Sequence, residues 1–193
     1  MNKSIYLFLF FVLFFSSCKN KEDNCKDISL EEGNITKQEE YDIVNTILEK
    51  KYSGDSDLLI IQKTQPSRSS DYFSGFIDLE TYELDSTVFE EYNAHVSTSL
   101  YWKEDLISDD YEVMAQTELD CYFESGGKGW NAFYETRGEG FLQFQRPYLT
   151  EENRAIIEYG EYCGYLCAYG FLLILEKENG EWIIKLDQLT WIS

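Results

Sequence analysis

Cys163-Gly164-Tyr165-Leu166-Cys167-Ala168-Tyr169-Gly170-Phe171-Leu172-Leu173-Ile174-Leu175-Glu176-Lys177-Glu178-Asn179-Gly180-Glu181-Trp182 is the stretch that decides the fold. In an extended chain successive side chains point to opposite faces, so Phe171, Leu173 and Leu175 share one face and Leu172 and Ile174 the other. A strand apolar on both faces belongs in the middle of a sheet that is covered on both sides. Asn179-Gly180 accommodates the positive φ angles of a tight hairpin turn, after which the chain returns as a strand over 181–191. In that last strand Trp182, Ile184 and Leu186 have one parity and Leu189 and Trp191 the other, a phase slip that predicts a bulge near Asp187-Gln188. Upstream, 140–146 and 154–162 have the composition and length of two more strands. Four successive strands with short connections make an antiparallel meander.

The N-terminal half has a different period. Thr36-Lys37-Gln38-Glu39 has the spacing of a capping box, and Val44, Ile47, Leu48 and Tyr52 follow on one face, predicting a helix over 36–52 that Ser53-Gly54-Asp55 ends. Leu58-Leu59-Ile60-Ile61 reads as a short buried strand and 65–71 as loop. Asp85-Ser86 caps a helix running to Val96, with Phe89, Tyr92 and Val96 on one face. The acidic stretch 105–110 turns, and 111–122 is read as helix. Gly126-Gly127-Lys128-Gly129 breaks the chain before Trp130, Phe133 and Tyr134, again at helical spacing. The fold class is therefore α+β: N-terminal helices packed on a C-terminal antiparallel β-meander of about four strands, in a single domain over 34–193.

The first residues bear on location. Met1-Asn2-Lys3 gives a positive start, and 5–15 is an apolar run too short to span a bilayer, which needs about 20 residues. Phe15-Ser16-Ser17-Cys18 resembles the lipobox of bacterial lipoproteins, with Phe15 where leucine is usual. The resemblance implies that 1–17 is a signal peptide, that Cys18 is acylated, and that its lipid holds the protein in a membrane. The polar stretch 18–33 then reads as a flexible tether. Lys21-Glu22-Asp23 resembles the signal that sends Bacteroidota lipoproteins to the cell surface. The implied location is the outer membrane, periplasm-facing or at the surface.

Charge narrows the partners. The chain has 36 acidic residues against 16 basic ones, a net −20, and removing Lys3 with the signal leaves −21. Such a field repels phosphate backbones, so no nucleic acid is expected, and it favours a protein partner with a basic surface. It also opposes an anionic bilayer, so the acyl chains must supply the membrane attachment. Asp85-Ser86-Thr87 resembles the Bacteroidota O-glycosylation acceptor, with Ser86 as the glycan carrier.

Cys25, Cys121, Cys163 and Cys167 allow three pairings. If Gly164 to Leu166 form a three-residue hairpin loop, Cys163 and Cys167 face each other across the strands at a distance a disulfide spans. Buried thiols or pairing with Cys121 are the alternatives; a Cys25–Cys121 bond would pin the tether to the domain. The pattern from Cys163-Gly164-x-Leu166-Cys167 through Asn179-Gly180-x-Trp182 to Trp191-Ile192-Ser193 resembles uncharacterised secreted Bacteroidota lipoproteins. It implies class and location but no activity.

Catalytic signatures are sparse. His95 is the lone histidine, so any triad must use it, and as a helical residue it reads better as packed or solvated. The glycine cluster lacks the P-loop spacing, and neither a metal nor a cofactor is expected. Asp55-Ser56-Asp57 and Asp109-Asp110 lack the rest of a calcium loop. Glu90, Glu91, Asp120, Glu124, Glu135, Glu139, Glu158 and Glu161 are all eligible as paired acids of a glycan-acting hydrolase, so abundance removes discrimination. Tyr162, Tyr165 and Tyr169 around the cysteine hairpin form the expected recognition surface. The expectation is a lipid-anchored envelope protein that binds another protein, as an accessory or immunity-type module. A carboxylate-dependent glycan hydrolase or a carbohydrate-binding module is the alternative.

Overall fold

The computed structural model describes residues 25, 28–55, 57–66, 81, 82, 84, 87–124 and 126–193. The expected signal peptide, Cys18, Lys21-Glu22-Asp23 and the expected cap and glycan site at Asp85-Ser86 lie outside them. Along the chain come α1 (Gln38–Lys51), β1 (Leu58–Ile61), α2 (Val88–Val96), a 3-10 turn (Glu104–Leu106), β2 (Val113–Met114), α3 (Gln116–Phe123) and α4 (Gly129–Thr136). The strands β3 (Gly140–Phe144), β4 (Tyr148–Leu149), β5 (Arg154–Gly164), β6 (Cys167–Glu178) and β7 (Glu181–Ile192) follow.

The four expected C-terminal strands are β3, β5, β6 and β7, and they pair antiparallel in that spatial order. The class is α+β, but the sheet is a mixed one of seven strands rather than a meander of about four. β1 adds parallel to β3, β2 adds parallel to β1, and β4 pairs with β5 beyond the point where β3 leaves it. Four buried apolar residues in a row made β1 legible as a strand. Its place inside the sheet depends on a partner about 80 residues away, which no local pattern encodes.

β6 is apolar on both faces because both are covered. Leu173 and Leu175 join Leu142, Ile157 and the α1 residues Tyr41, Val44, Ile47 and Leu48 on one side. Leu172 and Ile174 pack beneath Phe89, Tyr92 and Val96 of α2 on the other. At the far end of that second face, α3 and α4 bury Leu119, Tyr122 and Phe133 against Leu59, Ile61 and Phe141. The hairpin at Asn179-Gly180 has positive φ at both residues, 53° and 92°, as its two-residue turn requires.

Three local expectations are corrected. The capping box does not form: Lys37 is the N-cap of α1 and no side chain caps it. The acids of its first turn are drawn into tertiary pairs instead, Glu39 with Lys177 at 2.7 Å and Glu40 with Arg146 at 2.8 Å. The stretch 111–122 divides into β2 and α3, since Val113 and Met114 are taken up as the sheet's outer strand. In β7 the register shifts at two places, opposite Ile174/Leu175 and opposite Gly170/Phe171, which put the extra residues at Lys185 and Thr190, flanking Asp187-Gln188. Lys185 and the two bulges also make this 12-residue outer strand a poor template for edge-to-edge pairing.

The predicted tether is docked in its described part. Cys25 is 2% exposed and bonded to Cys121 of α3, and Glu31 exchanges two hydrogen bonds with Gln62 at 2.9 and 2.7 Å. Among the described residues no helix is long and apolar enough to cross a membrane.

Candidate functional site: an acidic groove and a disulfide-closed tip

The start of β1, the start of β3 and the end of β5 come together at one end of the sheet, because β1 runs parallel to β3 while β5 returns antiparallel to it. Close approach is required here. A Cβ on Gly140 would lie 2.4 Å from the Tyr162 carbonyl oxygen, so only glycine fits. The three termini and the end of α4 surround a groove of about 740 Å³. Asp55, Asp57, Glu139 and Glu161 line it together with Tyr134 and Cys163, and among the described residues none of its lining side chains is cationic.

Glu161 is the best-positioned of these acids. Tyr52, which closes α1, donates to Glu161 Oε2 at 2.8 Å and accepts from Tyr159 at 3.0 Å, since each phenol has one proton to give. Burial raises both phenols well above the ordinary tyrosine range, so both remain protonated donors. Tyr52 is itself anchored by Tyr111, which donates to its carbonyl at 2.6 Å. Beside this chain Lys51 lies over the Phe171 ring at 4.1 Å, and its ammonium is taken up by Asp187 at 2.6 Å.

The hairpin of the two cysteines rises next to the groove. Cys163 and Cys167 are disulfide-bonded with Cα atoms 5.0 Å apart. The loop is not the expected three residues. Gly164 pairs with Cys167, leaving Tyr165-Leu166 as a two-residue turn, and the register shift between Tyr162 and Gly164 makes Cys163 the bulged residue. Tyr134 of α4 donates to the Cys163 carbonyl at 2.8 Å and holds the hairpin's base. Tyr165 and Leu166 are 66% and 89% exposed.

The three tyrosines expected as one surface are separated. Tyr165 stands at the tip. Tyr162 lies on the face of α3 and α4, stacked on Phe141 at 4.8 Å and accepting from Gln65 at 2.7 Å. Tyr169 is opposite Glu161 in the register, one position from the Tyr162–Ala168 pair, and so points to the face of α1. Of the eligible acids, the groove unites Glu139 and Glu161. Glu158 is buried beneath α2, accepting from Gln145, which in turn accepts from Tyr92. Glu91 accepts from Tyr148, and that bond raises the phenol's pKa to about 12.

His95 lies in the last turn of α2, edge-on to Tyr148 at 5.7 Å. Burial, then the Arg146 guanidinium, lowers its pKa, with Glu40 opposing. It stands apart from the groove lining. Among the described residues no three His, Cys, Asp or Glu side chains converge as a metal site.

Sequence reasoning missed Asp55, Asp57, Tyr52 and Tyr134 as members of one site. Asp55 and Asp57 do stand just before a predicted strand, which is a signal, but the partner strands that complete the groove are remote in sequence. No family model, curated protein or solved structure matches the chain.

Proposed function

We propose that the protein is an envelope lipoprotein, acylated at Cys18 in the outer membrane, that binds a protein with a basic surface. The groove beside the disulfide hairpin is its contact site. One observation carries this: four carboxylates line an open groove of about 740 Å³, with no cation among the described residues of its lining. In a chain of net charge −20 such a groove focuses negative potential and steers a lysine- or arginine-bearing partner. The rigid frame around it suits recognition, because Tyr52 fixes Glu161 and Tyr134 fixes the hairpin's base. An accessory subunit or an immunity protein against a basic toxin has this character.

The test is crosslinking and pull-down of the acylated protein from its own envelope, under non-reducing conditions. The partner's affinity is then measured against salt and against Glu139→Gln and Glu161→Gln. Steep weakening with salt and with either variant is expected; a tight complex indifferent to both would refute the electrostatic reading. A glycan-acting hydrolase is the second reading, favoured by Glu139 and Glu161 sharing a groove in which Tyr52 holds one carboxylate. Release of reducing ends from an envelope glycan, abolished in Glu161→Gln, would replace the first reading with this one.

A further inference from the structure

We infer that the hairpin tip, Tyr165-Leu166 with Ile192 beside it, rests in the headgroup region of a zwitterionic bilayer, the membrane that holds the acyl chains of Cys18. The inference rests on the acylated-Cys18 reading above. It adds an orientation and a second membrane contact.

Three observations converge on it. The first is reach. The disulfide to Cys121 ties Cys25 to the domain. The seven residues from Cys18 to Cys25 extend at most about 25 Å at 3.3–3.6 Å each. The domain is therefore held close to the bilayer by the element that carries Cys121, which is α3.

The second is continuity from that element to the tip. Phe123, two residues after Cys121, packs on Trp130 of α4 at 4.6 Å, and Trp130 stacks on Tyr134 at 5.6 Å. Tyr134 bonds the Cys163 carbonyl. Two ring contacts and one hydrogen bond thus connect the helix that holds the tether to the base of the tip.

The third is the chemistry of the tip. Leu166, Ile192 and Tyr165 are the most exposed large apolar side chains described, at 89%, 67% and 66%. Ser193 exchanges two backbone hydrogen bonds with Ala168, which sets Ile192 at the same corner. No charged residue occurs from Tyr162 to Leu175, in a chain with 52 charged residues among 193 (36 acidic plus 16 basic). A tyrosine with an aliphatic neighbour, on a turn that carries no charged side chain of its own, matches what partitions at a membrane–water interface. The disulfide keeps the turn folded, so insertion costs little ordering.

The experiment uses the full acylated chain on phosphatidylcholine vesicles. Flotation reports the anchor, and amide hydrogen exchange over 163–168 reports the tip, against the unacylated Cys18→Ala chain in solution. The expected result is roughly tenfold or greater slowing of exchange at the tip on vesicles. Leu166→Asp, at a position exposed enough to spare the fold, should abolish the slowing while flotation persists. A chain that floats with unchanged exchange at the tip overturns this inference alone. One that does not float overturns the anchor as well. Slowing that appears only when a captured protein partner is added assigns the tip to that partner and also overturns it.

Discussion

The two disulfides differ enough in the loops they close that removing each gives a quantitative test of how they act. In the chain-entropy account a crosslink stabilises by restricting the unfolded ensemble, and the effect grows with the logarithm of the loop. Cys25–Cys121 has a sequence separation of 96, and Cys163–Cys167 one of 4. Those separations give about 4.7 and about 2 kcal/mol. The assay is equilibrium urea unfolding of the parent and of two double variants, Cys25→Ala/Cys121→Ala and Cys163→Ala/Cys167→Ala. Alanine is chosen because Cys25 is buried among Leu59, Ile61 and Met114, where a serine hydroxyl would add its own penalty. The long-loop variant should lose about 2.7 kcal/mol more than the short-loop one, at an unfolding slope that rises for the variant freed of the long crosslink. At roughly 2–4 °C per kcal/mol for a chain of this size, the midpoints should separate by about 5–10 °C. Equal losses would refute the entropic reasoning and point to packing around the sulfurs. A larger loss at the tip would mean that the hairpin's geometry, not the loop, is what the bond protects.

Four further outcomes follow from named contacts. Arg146→Ala leaves Glu40, 0% exposed, without its ion-pair partner and should cost about 3–5 kcal/mol, whereas Glu40→Gln/Arg146→Met should recover much of it by thermal melting. His95, the single histidine, should titrate below the free value of about 6.5 in a proton NMR experiment. Because its folded pKa is the lower one, the unfolded chain binds more protons below about 6.5. Stability should therefore fall with pH from there down to the native midpoint, and a midpoint at or above 6.5 would contradict the burial seen here. Gly170→Ala puts a Cβ 1.9 Å from the Trp191 indole nitrogen, so the ring must swing off the sheet, destabilising by about 1–3 kcal/mol with a red-shifted tryptophan emission. Tyr52→Phe removes the donor to Glu161 and should weaken binding of the proposed basic partner while thermal stability drops by about 1 kcal/mol.

What the sequence made legible was whatever depends on neighbours along the chain. The two-sided apolar run of β6, the Asn179-Gly180 turn and the helical spacing of Trp130, Phe133 and Tyr134 each carry their period within a few residues, and each forms as expected. The failures arise where a remote partner outbids a local one. Glu39 had the spacing to reach back in a capping box, yet Lys177, 138 positions away, takes its carboxylate. The cysteine hairpin tightens to two residues because Cys163 bulges, which no residue count of the loop reveals.

The groove was illegible for a different reason. Each of its acids is unremarkable among 36, and selection among them is made by topology: β1 and β3 run parallel, so Asp55 and Asp57 arrive at the same end as Glu139. β5 runs against β3, so its last residues, Glu161 and Cys163, arrive there too. The same register that delivers Glu161 to the groove turns Tyr162 away from it, since adjacent residues on a strand face opposite sides. The parallel strand beside the meander gathers the carboxylates at one end of the sheet, while alternation along β5 and β6 and the turn between them spread the three tyrosines apart.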